Sequence, residues 1–125
     1  MVKIVIMEWE DFSRMVYKEI KEGLKKGSFA KQGDVIYAES LEAALRLLSP
    51  EKKRLLDAVK DTKPSSLYAL AKTMKKDFKT VFTDAKYLSN AGLLTLENRR
   101  IGARQRLRPV FHGNKISVEL TVGSA

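Results

Sequence analysis

Between Asn98 and Arg108 the chain carries five arginines in eleven residues: Arg99, Arg100, Arg104, Arg106 and Arg108. No acid lies among them. Guanidinium groups crowded onto one hairpin repel each other, and a nearby row of phosphates relieves that cost. Arginine also suits narrow minor grooves, where the negative potential of DNA is enhanced. Four lysines, Lys75, Lys76, Lys79 and Lys86, precede this cluster. The 125 residues hold 24 Lys and Arg against 15 Asp and Glu, a formal charge of +9. The excess is unevenly spread: residues 1–48 sum to zero, 49–97 to +4 and 98–125 to +5. A localised positive field attracts nucleic-acid phosphates or acidic lipid surfaces more than it bears on fold.

The rest of the inventory excludes several chemistries. There is no cysteine and a single histidine, His112. Disulfides, thiol nucleophiles, cysteine-based zinc sites and histidine clusters are therefore out of reach. A Ser-His-Asp centre could draw only on His112, which lies in a turn signal. The expectation is a non-enzyme with no metal and no cofactor. No apolar run approaches the roughly 20 residues of a membrane helix. The opening Met1-Val2-Lys3-Ile4-Val5-Ile6-Met7-Glu8 reaches acid too early for a signal peptide. A soluble, cytoplasmic protein that works by binding, with no membrane partner, is what these features imply.

Periodicity gives the elements that must carry the basic groups. Val2 to Met7 reads as a strand. Phe12, Met15, Val16, Ile20 and Leu24 mark one face of a helix from Asp11 to Lys26. Gly27 to Gly33 reads as a loop, and Val35 to Ala38 as a short strand or extended chain. Ser40 is a candidate cap for a helix with Leu41, Ala44, Leu45 and Leu48 inward. Ser49-Pro50-Glu51 is a stronger start signal, and Asp61-Thr62-Lys63-Pro64 ends the helix it opens. Ser65 or Ser66 caps the next, with Leu67, Leu70, Ala71 and Met74 inward. After a turn at Lys75-Lys76, Asp77 caps a further helix with Phe78, Val81, Ala85 and Leu88 inward. Gly92 falls where a left-handed residue is wanted. Leu93 to Glu97 and Arg108 to Phe111 read as strands flanking the basic hairpin. Ile116, Val118, Leu120 and Val122 alternate with polar residues, as in a half-buried strand.

Residues 49–111 thus read helix, helix, turn, helix, strand, basic hairpin, strand, the order of a winged helix-turn-helix. Lys79, Thr80, Thr83 and Lys86 face outward, as in a helix placed in a DNA major groove. Phe82 divides between core packing and contact with a thymine methyl. Tyr87 reads as packing, and Ser66 as a cap or a phosphate donor. Asp84 is expected to pair with a neighbouring Lys or Arg. Arg108 is assigned to the core edge, and Trp9 and Tyr17 to packing or a subunit interface. The arginines have a structural alternative: pairing with Glu8, Glu10 or Asp11 of another subunit.

The segments Leu67-Tyr68-Ala69-Leu70-Ala71-Lys72 and Thr80 to Leu94 resemble winged-helix regulators of the MarR-like superfamily. They are most similar to a group of small prokaryotic transcriptional regulators. There, an N-terminal strand and helix precede the winged helix, and a strand closes the chain. Some members of the group resemble antitoxins. The resemblance implies that Phe78 to Asn90 reads DNA and that the Arg-rich hairpin is the wing. Phe82 and Thr83 depart from it, standing where relatives often carry polar or basic readers.

The expected fold is α+β, mainly helical. It comprises an N-terminal strand-helix region for dimerisation (1–48), a winged helix-turn-helix (49–111) and a C-terminal strand and tail (112–125). The expected function is sequence-specific binding of double-stranded DNA by a homodimeric regulator, a repressor. The expected DNA-contacting residues are Ser66, Lys75, Lys76, Lys79, Thr80, Phe82, Thr83, Lys86, Arg99, Arg100, Arg104 and Arg106. The alternative is an antitoxin that binds a partner toxin and autoregulates its operon. The strands at the two chain ends are expected in the dimer interface, paired within one chain or between chains.

Overall fold

The computed structural model describes residues 1–18 and 25–123. In chain order the elements are β1 (Val2–Ile6), α1 (Trp9–Lys18), β2 (Lys25–Lys26), β3 (Phe29–Gln32), β4 (Val35–Ala38) and α2 (Leu41–Leu47). Then come α3 (Pro50–Thr62), α4 (Leu67–Met74), α5 (Phe78–Asn90), β5 (Thr95–Ile101), β6 (Arg104–Val110) and β7 (Ile116–Leu120). The fold is α+β. Among the described residues the strands form a five-stranded sheet, β2-β3-β4-β1-β7, and a separate β5-β6 ribbon.

The sheet joins the two ends of the chain. β1 is parallel to β4 on one side, with Ile4 beside Ile36. On the other side it is parallel to β7, with Ile4 beside Val118. β3 runs antiparallel to β4, and β2 antiparallel to β3. Alternation along the strands divides the side chains between two faces. Phe12 of α1 is fully buried with Ala30 on one face, and Met7, Met15, Val16 and Tyr37 pack around them. Ile4, Phe29, Ile36 and Ala38 lie on the opposite face. They share one apolar core with Leu47, Leu55, Val59, Leu70, Val81, Ala85 and Leu88 of α2 to α5.

Caps set the helix boundaries. The hydroxyls of Ser40, Ser49 and Ser66 accept from the backbone N–H three residues on, at 3.1, 3.3 and 3.0 Å. Each satisfies a donor that the first helical turn leaves unpaired. Asp77 does the same for α5 through Thr80 N at 3.2 Å. Two helices close in left-handed residues, Lys63 (φ 45°) and Lys75 (φ 55°). After Lys75, the Lys76 N–H reaches back to Ala71 O at 3.0 Å, which ends α4 tightly. Gly92 (φ +86°) follows α5, and a Cβ there would meet Lys31 Cδ at 2.5 Å.

Several expectations need correction. The helix expected over Asp11–Lys26 begins at Trp9, and Lys25–Lys26 is a strand paired with β3. Ile20 and Leu24 lie outside the described residues. The expected loop Gly27–Gly33 contains β3, because Phe29 and Ala30 are needed on both faces of the sheet. In α2 the inward stripe is Ala43, Ala44 and Leu47, while Leu41 and Leu45 are exposed. Two overlapping apolar stripes run along that helix, and packing against β1 and β4 selects the one with small alanines. Phe78, expected inward, is 43% exposed. As the first residue of α5 it lies beyond the packed part of the helix. The ribbon strands run deeper into the basic segment than expected, so nearly all of it is β structure. Trp9 and Tyr17 are both exposed, and Trp9 keeps one packing contact, its ring 6.1 Å from that of buried Phe12. Gly113 marks a close approach rather than a turn, since a Cβ would lie 2.9 Å from Phe111 Cζ and 3.1 Å from Val2 Cγ2. β1 has neighbours on both sides, so it offers no edge to a second chain. Among the described residues β7 carries a free edge, and its Val118 and Leu120 are exposed rather than half-buried.

Candidate nucleic-acid interface

The α5 helix presents two faces set by its sequence. Val81, Ala85 and Leu88, spaced at 0, 4 and 7, are buried against the core. Lys79, Thr83 and Lys86 repeat the same spacing on an outward stripe, and all three are exposed. Thr80 flanks that stripe, its hydroxyl 3.5 Å from Asp77 Oδ2. The C-terminal end of α5 is fixed to the sheet. The Tyr87 ring meets Phe29 edge-on at 5.9 Å, and Lys31 Nζ donates to Gly92 O at 2.9 Å. The N-terminal end, with Phe78 and Lys79, is therefore the end away from the sheet. Lys75 and Lys76 form the bend leading into it, with Lys75 exposed and Lys76 half-buried.

The β5–β6 ribbon has a core side and an outer side. Leu96 and Leu107 pack against the core. Thr95, Glu97 and Arg99 of β5, with Arg104, Arg106 and Arg108 of β6, alternate onto the other face. Arg108 Nε donates to Glu97 Oε1 at 3.1 Å, and the two residues are direct cross-strand partners. That pair gives Arg108 a partner, on the same face of the ribbon as Arg104 and Arg106 rather than at the core edge expected for it. Two pairs further out, Arg99 lies directly opposite Arg106. Like charges so placed destabilise a ladder unless an anion stands between them. Among the described residues Arg99, Arg100, Arg104 and Arg106 make no ion pair. Arg100 belongs to the opposite face, opposite Gln105.

A cleft of about 420 Å3 joins the two parts, between the N-terminal ends of α4 and α5 and the strand β6. Ser66, Tyr68, Phe78, Phe82, Arg104 and Arg106 line it. Phe78 lies between Tyr68 and Phe82, with ring centroids 6.2 and 5.8 Å away. Lys72 Nζ stands 4.9 Å from the centre of the Tyr68 ring. The cleft thus has an aromatic wall from α4 and α5, and β6 closes it with Arg104, Gln105, Arg106 and Leu107. Phe82 packs partly on the core while its ring lines the cleft, so its position is compatible with both roles expected of it. Ser66 is only 3% exposed and its hydroxyl caps α4, so capping is the role its geometry shows. Lys75, Lys76, Lys79, Thr80, Thr83, Lys86, Arg99 and Arg100 lie outside the cleft lining. Asp84 has no ion-pair partner among the described residues, contrary to expectation.

Sequence reasoning missed Tyr68 and Phe78 as members of this surface. Their spacing signal was the first turn of each helix, where an aromatic residue projects past the core. Arg99 facing Arg106 was also invisible, because it depends on the hairpin register.

A family model described as HVO_A0114 matches residues 47–118, more than half of the chain, and the protein belongs to that family. The match takes in α3, α4, α5, the β5–β6 ribbon and the first part of β7. No curated protein and no solved structure matches the chain. No helix among the described residues is long and apolar enough to cross a membrane.

Proposed function

We propose that this protein is a sequence-specific, double-stranded DNA-binding transcriptional regulator that acts as a dimer. In this reading residues 49–111 are a winged helix-turn-helix. α4 and α5 are the two helices of the motif, α5 enters the major groove, and the β5–β6 ribbon is the wing. The observation that carries the reading is the arginine set of the ribbon, four of which make no ion pair among the described residues, above all Arg99 against Arg106. A phosphate row relieves that repulsion, and a polyanion supplies such a row. The exposed stripe Lys79, Thr83 and Lys86 supports it from the helix side. Lysines and arginines position the protein on phosphates, while Thr80, Thr83 and Phe82 meet base edges and thymine methyls. Two copies are needed because two half-sites supply affinity that one small module lacks. The mechanism is binding, with no catalytic step and no cofactor, and repression follows by occupancy of the operator.

The test is binding to a labelled fragment of the protein's own upstream DNA, against scrambled DNA, across a salt series. If about six phosphates are neutralised, log K falls against log salt with a slope near −5. Tight, sequence-dependent binding with that slope supports the regulator. No binding to either fragment at low salt sinks it.

A further inference from the structure

We propose that the free edge of β7 is the dimer interface, with two copies pairing β7 to β7 antiparallel and Val118 against Val118 on the two-fold axis. This rests on the dimeric regulator read above and gives it a surface.

β7 ends the five-stranded sheet, and among the described residues its outer edge has no partner strand. The Val2 N–H donates to Lys115 O at 3.0 Å, which fixes the polarity of the ladder. Lys115, Ser117 and Glu119 turn their backbone groups toward β1. Ile116, Val118 and Leu120 therefore turn their N–H and C=O groups outward. The same three residues share the face that holds Ile4, because they stand beside Val2, Ile4 and Ile6. Only Ile116 is half-covered, and Val118 and Leu120 are each 51% exposed. An open edge carrying exposed apolar side chains is a template for another strand.

The sequence of β7 is complementary to itself in one register. With Val118 opposite Val118, Ile116 meets Leu120 of the second copy and Leu120 meets Ile116. Ser117 meets Glu119, and Lys115 meets Thr121. Within β7 every apolar residue then faces an apolar residue, and every outward backbone group finds one to bond. A slip of two residues one way sets Glu119 against Glu119. A slip the other way sets Leu120 against Asn114. A slip of one residue pairs inward-bonded positions with outward ones and is excluded by the ladder.

The symmetry also suits a DNA reader. The two-fold axis stands perpendicular to the sheet, so both copies keep the same face up. That face carries α3, α4 and α5 in each copy. The N-terminal ends of both α5 helices then project on one side of a continuous ten-stranded sheet. An isologous contact of this kind closes at two copies and leaves β2 as the outer edge.

Three variants test the interface on the full chain. Val118→Lys places two ammonium groups on the axis and alters a side chain already half in water. It should leave the melting temperature of the monomer unchanged and raise the dimer dissociation constant by about 100-fold, since like-charge juxtaposition costs several kcal/mol. Sedimentation at tens of micromolar reads this directly. The register is read by oxidation of Ser117→Cys and Glu119→Cys, as the native chain has no cysteine. These positions are direct partners across the axis, within disulfide reach, whereas each is a diagonal neighbour of its own copy at about 7–8 Å. An equimolar mixture should crosslink, and either variant alone should not. A wild type that sediments as a monomer, or a mixture that crosslinks no better than its components, overturns the interface. A partner protein on β7 would give that pattern. DNA binding is scored separately. A monomeric Val118→Lys that keeps salt-dependent duplex binding, with its preference for paired half-sites lost, supports the interface. A dimeric wild type that binds no DNA would overturn the regulator and leave the interface standing.

Discussion

The β1–β7 pair and the β5–β6 ribbon place charges beside one another in opposite ways. In the sheet, Lys3 of β1 bonds Glu119 of β7 at 3.1 Å, so each strand answers the other's charge. In the ribbon, the Glu97–Arg108 pair near the base does the same, but further out Arg99 faces Arg106. The sheet is electrostatically closed and apolar along its free edge. The ribbon is electrostatically open and polar at its tip. One leaves apolar side chains exposed, the other leaves like charges facing each other. In the proposed reading, composition alone separates the edge that pairs with a second copy from the ribbon that meets a polyanion.

The two regions nevertheless share one core, and the strongest prediction tests that. Leu88 is fully buried in the cluster that also holds Ile4 and Ile36. Leu88→Ala should lower unfolding stability by about 2–5 kcal/mol. The loss should appear equally in circular dichroism and in the fluorescence of Trp9, the sole tryptophan, on α1. Separate transitions would mean that the sheet and the helical layer are independent units.

The next effect sharpens the ribbon side. Arg99→Ala with Arg106→Ala should weaken binding to all DNA sequences alike and flatten the salt slope by about 2, one for each phosphate left without its arginine. The same double change should leave thermal stability equal or slightly higher, since it removes a like-charge pair. Thr83→Ala should instead alter sequence preference with the slope unchanged. A stability loss in the double arginine variant would show that these groups brace the fold.

A smaller effect belongs to α4. Ser66→Ala removes the hydroxyl that holds Ala69 N at 3.0 Å. It should cost about 1 kcal/mol of stability. Its effect on DNA affinity should follow that loss and leave the salt slope unchanged. A change in slope would restore the phosphate role that burial argues against.

How much of this was legible in the sequence follows from the range of the forces involved. The caps at Ser40, Ser49 and Asp77 and the left-handed Gly92 were readable because each is fixed by a few neighbouring residues. The outward Lys79, Thr83 and Lys86 were readable because α5 is long enough to show its period. The five-stranded sheet was not, since β2 and β3 are two and four residues long and give no alternation to count. Their identity comes from pairing with strands elsewhere. The choice between apolar stripes on α2 was likewise made by what packs on it. Within the candidate interface, the basic residues were legible by type. The aromatic wall of Tyr68, Phe78 and Phe82 was not, because it forms only when two helix starts and β6 come together.

The smallest expected effect bears on the ion pairs that close each β region. Arg108 and Glu97 side chains are 35% and 40% exposed, and Lys3 and Glu119 are 48% and 53% exposed. At such exposure water screens the pair, and each should contribute about 0–1 kcal/mol. Glu97→Gln is the more informative change. It should barely move the melting temperature, yet it frees Arg108 beside arginines that make no ion pair among the described residues. If the ribbon meets phosphates, the variant should bind duplex DNA slightly more tightly at low salt, with a steeper salt slope. Lys3→Met, on the closed side, should move neither quantity. Equal responses to the two changes would erase the distinction between an edge that has answered its charges and one that has left them for a partner.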